Sequence, residues 1–288
     1  MPSQVEMNDL MVELRPRLHR YCARMIGSAI DGEDLVQETL ARAAAALPGA
    51  GLIERPESWL FRIAHNVAID ALRARRRQAA LASEAGAGDA VGESSPADAR
   101  VAAAASLATF LLLPPTPRSS VLLVDVLGHS AVETAEILGI SVAAVKAGLH
   151  RGRGRLREIV DMPAEPPRFD EAEKLRLRAY ADSFNARDFD RLRGLLAEDV
   201  KLDLVNRLSL AGRKDVSVYF GRYDAVFDWH VSVGLAEGRP ALLFRDPADS
   251  EGRIGHIVLL SWAEGQITGI RDFKFAGYVM EGLVIGEL

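Results

Sequence analysis

Two stretches of this 288-residue chain have compositions that cannot form a packed core, and they limit how the rest can fold. Residues 78–105 are rich in Ala, Gly and Ser with almost no large apolar side chain, so nothing there offsets the entropy of ordering. Residues 161–168 contain three prolines, which exclude a continuous helix and stiffen the connection. The sequence therefore predicts three folded units, at 1–77, 106–160 and 169–288, joined by two linkers.

The period of the hydrophobic pattern predicts the fold class of each unit. In the first two units apolar residues recur every three or four positions, which is typical of helices. The third unit begins with two helices within 170–196 and then changes to a period of two, as in the alternating segment 254–262. We therefore expect a multidomain chain, with two all-α domains followed by an α+β domain that has a curved antiparallel sheet.

Local features of the first unit predict where its helices begin and break. Pro16 lies inside the apolar stripe of residues 11–25, so we expect a break or kink at Arg15. Asp31 is placed to cap the helix that follows. A third helix is expected over 57–77.

The strongest local motif is a helix-turn-helix pattern at 128–158. Ser130 and Glu133 have the spacing of a capping box, which starts one helix, and Gly139 supplies the turn. The second helix, capped at Ser141, would enter the DNA major groove. The residues expected at phosphates or base edges are Ser141, Lys146, His150, Arg151, Arg153 and Arg155. A plain helical hairpin with a solvated basic end is the alternative.

Composition and charge exclude several classes of protein. The single cysteine, Cys22, excludes a disulfide framework and a multi-Cys zinc site. There is no signal-peptide pattern and no run of 18 apolar residues, so we expect a cytoplasmic protein with no membrane contact. Residues 161–288 have net charge −5 and residues 106–160 have net charge +2, so nucleic-acid contacts are expected before residue 160. No cofactor and no metal are expected.

Three segments, which fall in two regions, carry a resemblance to a known family. Residues 31–43 (DGEDLVQETLARA) and 54–77 closely resemble region 2 of the sigma-70 family, and residues 113–158 resemble region 4. Because both occur in this order with only a short connector, residues 1–160 resemble a sigma factor of the extracytoplasmic-function (ECF) type. The resemblance implies a transcription initiation factor whose partners are core RNA polymerase and promoter DNA.

The resemblance also implies roles for individual side chains. The helix that begins near Asp31 would dock on polymerase through Asp34, Gln37 and Glu38, which share one face. The third helix would bind the melted −10 element, and its candidate residues are Trp59, Arg62, Asn66, Arg73, Arg75, Arg76 and Arg77. Solvated charged faces, and a core position for Trp59, are the alternatives.

Three glycines depart from the pattern of the resembled family. Gly148, Gly152 and Gly154 lie inside the expected recognition helix, where each costs ~1 kcal/mol relative to Ala. We therefore expect weak binding to the −35 element, or final helical turns that become ordered only on DNA.

Beyond residue 168 the pattern changes to that of a further domain. Residues 184–203, followed by strands, resemble the SnoaL-like cone fold, which commonly encloses an apolar pocket. Candidate pocket residues are Asp203, Tyr219, Trp229, His230, His256 and Asp272. No catalytic set is visible, so we expect no enzymatic activity, and a satisfied core histidine is the alternative for His256. Intramolecular contact of this domain with the sigma regions is expected to modulate their activity.

Three hypotheses for function follow. The first is a sigma factor that binds core polymerase and directs promoter recognition, melting and initiation. The second is a helix-turn-helix regulator that acts without polymerase. The third is a ligand-sensing or isomerase-like C-terminal domain that is preceded by a DNA-binding N-terminal part. The region 2 pattern favours the first, because a stand-alone regulator needs no helix for strand melting.

Overall fold

The computed structural model describes residues 4–80, 106–159, 171–226 and 229–287. The chain forms two compact units, Met1–Pro163 and Ala164–Leu288. The first contains both of the helical segments that the sequence predicts. The expected linkers lie outside the described residues, except for residues 78–80, which end the third helix.

Three long helices form the N-terminal part of the first unit. They are α1 (Gln4–Ile26), α2 (Ala29–Ala46) and α3 (Pro56–Ala80). The apolar stripe of α1 is buried, as the period of its residues predicts. Gly32 of α2 lies so close to α1 that an added Cβ would be 2.6 Å from Ala23 Cα, which explains the small residue at this crossing.

The expected break at Arg15 and the expected cap at Asp31 are both wrong. The helix α1 continues through Pro16 without a break at Arg15. Packing of α1 on α2, together with the ion pair between Arg15 and the fully buried Glu33, offsets the lost backbone hydrogen bond. Ser28, not Asp31, caps α2, because the Ser28 hydroxyl accepts the Asp31 N–H at 3.0 Å.

The remaining helices of the first unit include the helix-turn-helix. They are α4 (Leu107–Leu111), α5 (Pro115–Val121) with a π-helical turn at Leu122–Val126, α6 (Ala131–Leu138) and α7 (Val142–Ile159). The predicted capping box of Ser130 and Glu133 is present at the start of α6. Gly139 ends α6 at φ 65°, a conformation that favours glycine. The predicted motif is therefore confirmed in its local geometry.

One hydrophobic core continues from α1 to α7. Leu18, Phe61 and Phe110 are fully buried in it, and Leu149 of α7 joins them. Arg118 is buried as well and donates hydrogen bonds to the carbonyl oxygens of Met25 at 2.5 Å and Leu111 at 2.9 Å. Burial lowers the pKa of its guanidinium to about 10.

The second unit combines helices with one mixed sheet. Its helices are α8 (Glu171–Asn185), α9 (Phe189–Gly194) and α10 (Arg213–Asp224). Its strands are β1 (Leu196–Leu204), β2 (Leu208–Ala211), β3 (His230–Ala236), β4 (Arg239–Arg245), β5 (Ile254–Ala263), β6 (Gln266–Asp272) and β7 (Ile285–Glu287). The strand order is β2-β1-β6-β5-β4-β3-β7, with β1 parallel to β6 and the other pairs antiparallel.

This architecture agrees with the predicted α+β class, but the sheet is mixed and not the expected antiparallel one, because β1 and β6 run parallel. The alternating segment forms β5, residues 264–265 form a turn, and β6 returns as the antiparallel partner of β5. The helices cover one sheet face, where Phe184 is ringed by aromatic side chains whose centroids lie 4.8–6.4 Å away. Leu242 and Leu243 are adjacent in β4 and both fully buried, so this strand is covered on both faces.

Candidate nucleic-acid interface

The second helix of the helix-turn-helix, α7, presents a polar face outside the core. The Ser141 hydroxyl accepts the Ala144 N–H at 3.1 Å and so caps α7, as predicted. Lys146 and Arg155 are exposed, and His150 and Arg151 are half-buried. Arg155 also pairs with Glu158 at 2.9 Å, one turn along the same helix. The face combines a helix start with cationic side chains, which is suitable for a DNA backbone.

Arg153 lies elsewhere, although the sequence placed it among the DNA contacts. Its Nε and Nη2 donate to the two carboxylate oxygens of Asp125 at 2.8 and 2.5 Å. The Asp125 side chain is only 3% exposed, so this bidentate pair ties α7 to the π-helical turn. We therefore leave Arg153 out of the interface proposed below.

Two of the three unusual glycines in α7 have a packing role that the sequence did not reveal. Gly148 and Gly152 are buried one turn apart against α5. An added Cβ would lie 2.7 Å from Ser120 Oγ at Gly148, and 2.6 Å from Val121 Cγ2 at Gly152. Gly154 faces open space. The first two glycines therefore allow close helix crossing, and the helix is continuous through all three.

The helix α3 carries the residues predicted to meet the −10 element, and the structure divides them. Arg62, Asn66, Arg73, Arg76 and Arg77 are exposed, and Trp59 is half-buried against the core. Arg75 is exposed as well, but it donates to the Ile26 carbonyl at 2.9 Å and pairs with Asp31, so it stabilises the end of α1.

An unpredicted pair of contacts occupies one end of the α3 face. Arg62 Nη2 donates to the Glu136 carbonyl at 2.6 Å, and Arg55 Nη1 donates to the Glu136 carboxylate at 2.5 Å. Sequence reasoning missed both Arg55 and Glu136, because 81 residues separate them and no local pattern links them.

The predicted polymerase-docking residues lie together on α2. Asp34 and Glu38 are exposed, and Gln37 is half-buried between them. Glu38 pairs with Arg42 at 2.7 Å within the same helix. Their spacing places the three side chains on one acidic strip, opposite the buried face that contains Val36.

A crevice of about 810 Å³ lies between the start of α3 and the loop before α6. Its walls include Arg17, Arg55 and Ser58 on one side and His129 and Ser130 on the other. The His129 ring contacts Phe61 edge-to-face at 5.0 Å between centroids. Burial lowers the pKa of His129, and nearby Glu57 opposes this shift.

In the second unit, the structure brings together only some of the predicted pocket residues. The hydroxyls of Tyr219 and Tyr223 donate to one carboxylate oxygen of the fully buried Asp272, at 3.0 and 2.8 Å. The backbone N–H of Lys274 donates to the other oxygen, and His256 Nε2 is 3.7 Å from it. Burial raises the pKa of both tyrosines, and the Asp272 charge adds to the effect.

The other three pocket candidates lie outside this cluster. Asp203 lies beside Arg271 of β6, with 3.4 Å between the carboxylate and the guanidinium. Because Arg271 and Asp272 are consecutive in the strand, their side chains point to opposite faces of the sheet. Trp229 belongs to the aromatic core around Phe184, and His230 is exposed. The cavity beside the cluster measures only about 70 Å³, and the Asp272 carboxylate already accepts three hydrogen bonds. We therefore describe the cluster as a hydrogen-bonded core network.

Comparison with known proteins agrees with the two helical parts of the first unit, α1–α3 and α4–α7. Residues 10–78 match the model of Sigma-70 region 2, and residues 107–156 match that of Sigma-70, region 4. The chain is 35% identical over 207 residues to the ECF RNA polymerase sigma factor SigG of Mycobacterium tuberculosis, which covers 62% of this chain and 55% of SigG. It is 30% identical over 161 residues to the ECF sigma factor SigW of Bacillus subtilis, with 52% of this chain and 86% of SigW covered.

Fold and comparisons thus define a protein with sigma-70 regions 2 and 4 in one chain. The chain belongs to the ECF RNA polymerase sigma factor family. It spans about half the length of SigG.

The crystal structure of the M. tuberculosis ECF sigma factor SigJ matches 94% of this chain and 98% of SigJ, at 21% identity and a TM-score of 0.35. No helix in the described ranges has the length and apolar character needed to cross a membrane.

Proposed function

We propose that this chain binds core RNA polymerase and directs it to promoters, where it recognises the −35 and −10 elements and supports melting and initiation. The observation that carries the proposal is the geometry of α7. Its buried face packs on α5 through Gly148 and Gly152, while its capped start and its outer cationic face stay available to a groove.

The −35 interface in this proposal is the outer face of α7. It consists of Ser141, Lys146, His150, Arg151 and Arg155. Lysine and arginine at this face neutralise phosphates and position the helix, whereas the side chains near its start reach base edges.

In this proposal the −10 surface lies on α3 and the polymerase surface lies on α2. On α3 the exposed cations and Asn66 meet the melted strand, and Trp59 supports an unstacked base. On α2 the acidic strip of Asp34, Gln37 and Glu38 meets basic side chains of polymerase. This assignment gives both α2 and α3 a role in initiation, which a polymerase-independent regulator would not need.

The second unit modulates these activities by intramolecular contact. Residues 161–288 have net charge −5, opposite in sign to residues 106–160. A short tether keeps its effective concentration near the sigma regions on the order of millimolar, so weak contacts are populated. The chain therefore acts as a non-enzymatic regulator whose second unit adjusts initiation.

Run-off transcription with purified core polymerase and a pool of promoter fragments tests the proposal. Full-length protein should produce discrete promoter-dependent transcripts. Charge reversal of the acidic strip, D34K with E38K, should remove them, whereas E13K on the exposed face of α1 should not. Sequence-specific duplex binding without any polymerase-dependent transcript would instead establish the independent regulator.

A further inference from the structure

The turns that follow β1 and β6 lie side by side at one end of the sheet of the second unit. The two strands are parallel neighbours, and Leu204 at the end of β1 is in register with Asp272 at the end of β6. The chain therefore leaves both strands at the same end of the sheet. There the Asn206 side-chain amide donates to the Phe275 carbonyl at 3.3 Å, although 69 residues separate them.

The last turn of α10 lies against the same end of the sheet. The Tyr223 hydroxyl of α10 donates to Asp272 at 2.8 Å, which fixes this helix beside β6. Arg222 of α10 lines a small cavity of about 70 Å³ together with Lys274 and Phe275. Three segments that are distant along the chain therefore contribute to one surface.

The exposed side chains at this surface form the sheet-end patch, which consists of Arg207, Arg222, Lys274 and Phe275. None of its three cations forms an ion pair with any residue that the structure describes. The Arg207 guanidinium carbon lies 5.5 Å from the centroid of Phe275, and Lys274 Nζ lies 4.8 Å from that of Tyr223. Phe275 is itself 43% exposed. The sheet-end patch thus combines unpaired positive charge with an accessible aromatic ring.

The positive charge of the sheet-end patch is local, because the unit that carries it is acidic. Residues 161–288 have a net charge of −5, so net charge alone predicts nucleic-acid contacts only before residue 160. Asp272, which lines the same cavity, is fully buried and accepts three hydrogen bonds. Binding of phosphate depends on the local field and not on the total charge of a domain. The sheet-end patch is therefore suited to an anionic partner.

We propose that the sheet-end patch binds single-stranded nucleic acid, with phosphates on Arg207, Arg222 and Lys274 and an unstacked base on Phe275. Stacking on an exposed ring requires a base that is not held in a duplex. The cations belong to three separate segments around the ring, so they suit successive phosphates of a strand better than one small anion. This inference goes beyond the proposed function, and it does not depend on the α3 face.

Photocrosslinking in the full chain tests the proposal, because it reports where on the protein a strand binds. A short single-stranded oligonucleotide with photoreactive thymines should crosslink to a peptide that contains Phe275, identified by mass spectrometry after digestion. R222E with K274E should lower the yield of this crosslink about tenfold and leave crosslinks on α3 in place. The matched control is R191E with K214E, which reverses two exposed charges on α9 and at the start of α10 and should change nothing.

Competition in the wild-type chain tests whether a base is stacked, and it does not depend on any variant remaining folded. An abasic strand of the same length and charge should need about tenfold higher concentration to suppress the crosslink, because it lacks the stacking contribution. A glutamate peptide of the same net charge should compete as poorly. Strands of DNA and RNA are compared in parallel, and the one that binds more tightly identifies the source of the strand.

The outcomes are distinct from those that test the sigma function. Equal competition by the abasic strand would overturn the proposal and indicate a surface that reads charge alone. Equal competition by the glutamate peptide would overturn it in favour of an acidic protein partner. Crosslinks confined to the first unit, or equal losses in R222E with K274E and in the control variant, would also overturn it. None of these results affects the −35 and −10 assignments.

Discussion

One half-buried histidine, His65, is expected to make the stability of the first unit depend on pH. The Tyr21 hydroxyl lies 2.8 Å from His65 Nδ1, and burial lowers the pKa of His65 to about 4 from its ordinary value of 6.5. The neutral ring is therefore favoured in the folded state. Its contribution to stability is complete above pH 6.5 and is lost as the pH falls towards 4.

The first prediction follows from His65. Between pH 6.5 and 4 this histidine should reduce the free energy of unfolding by up to about 1.4 kcal/mol per pH unit. H65N keeps a hydrogen-bond acceptor near Tyr21 but does not titrate there. Urea unfolding across this range should therefore show a shallower pH dependence in H65N, and parallel curves would exclude His65 as the cause.

The second prediction separates two neighbouring arginines of α7. R151A should weaken duplex binding and reduce the slope of log affinity against log salt by about 0.9, as for one lost phosphate contact. R153A should leave the buried Asp125 carboxylate unpaired and destabilise the first unit by about 1–3 kcal/mol. Anisotropy titrations and urea unfolding of both variants measure the contrast. A stable R153A would contradict the structural role.

The third prediction concerns the network of the second unit. D272A removes the acceptor of two tyrosine hydroxyls and a backbone N–H, so it should destabilise this unit by about 2–4 kcal/mol. D203A, on the same sheet but partly exposed, should cost less than about 1 kcal/mol. Thermal unfolding followed by near-UV circular dichroism reports both. Equal losses would show that burial of Asp272 is not decisive.

At the scale of elements, α7 has two faces with different roles. Its small residues face α5 and its cations face outward. The intrinsic cost of glycine in a helix is offset at Gly148 and Gly152 by an approach that a larger side chain would prevent. The helix is continuous because its packing outweighs its propensity.

The fourth prediction uses the three glycines as a series. G154A should stabilise the first unit by about 1 kcal/mol, since its Cβ meets open space in a helix. G148A and G152A should each destabilise it by about 1–3 kcal/mol, since the Cβ overlaps α5. Urea midpoints of the three variants give the comparison. Stabilisation by all three would mean that α5 and α7 do not pack closely.

At the scale of the whole molecule, each of the two compact units has its own hydrophobic core. A unit with its own core can be removed without exposing the core of the other. The contribution of the second unit to initiation is therefore open to a direct test.

The fifth prediction is that ending the chain after residue 165 changes promoter-dependent transcription several-fold. The proposed modulation would arise because the tether holds the acidic unit at an effective concentration on the order of millimolar, at which even weak contacts with the sigma regions would be populated. Run-off transcription at several salt concentrations measures the change. Equal transcription by both proteins throughout would identify the second unit as an independent appendage.

Much of the first unit could be predicted because its signals are local. The capping box at Ser130, the turn at Gly139 and the buried stripe of α1 each depend on residues within one or two turns. The β5–β6 hairpin was predictable for the same reason, since alternation and a short turn specify it. The break expected beside Pro16 does not occur, because tertiary packing of α1 on α2 overrides a local preference.

The sequence by itself determined the order of the modules, the type of those elements that have a clear local pattern and the residues that we propose to bind DNA. Only the tertiary structure decided which of those residues have another partner. Arg153 and Asp125 are 28 residues apart, Tyr223 and Asp272 are 49 apart, and Arg62 and Glu136 are 74 apart. Periodicity and caps depend on near neighbours along the chain, whereas these contacts depend on how whole helices and strands pack.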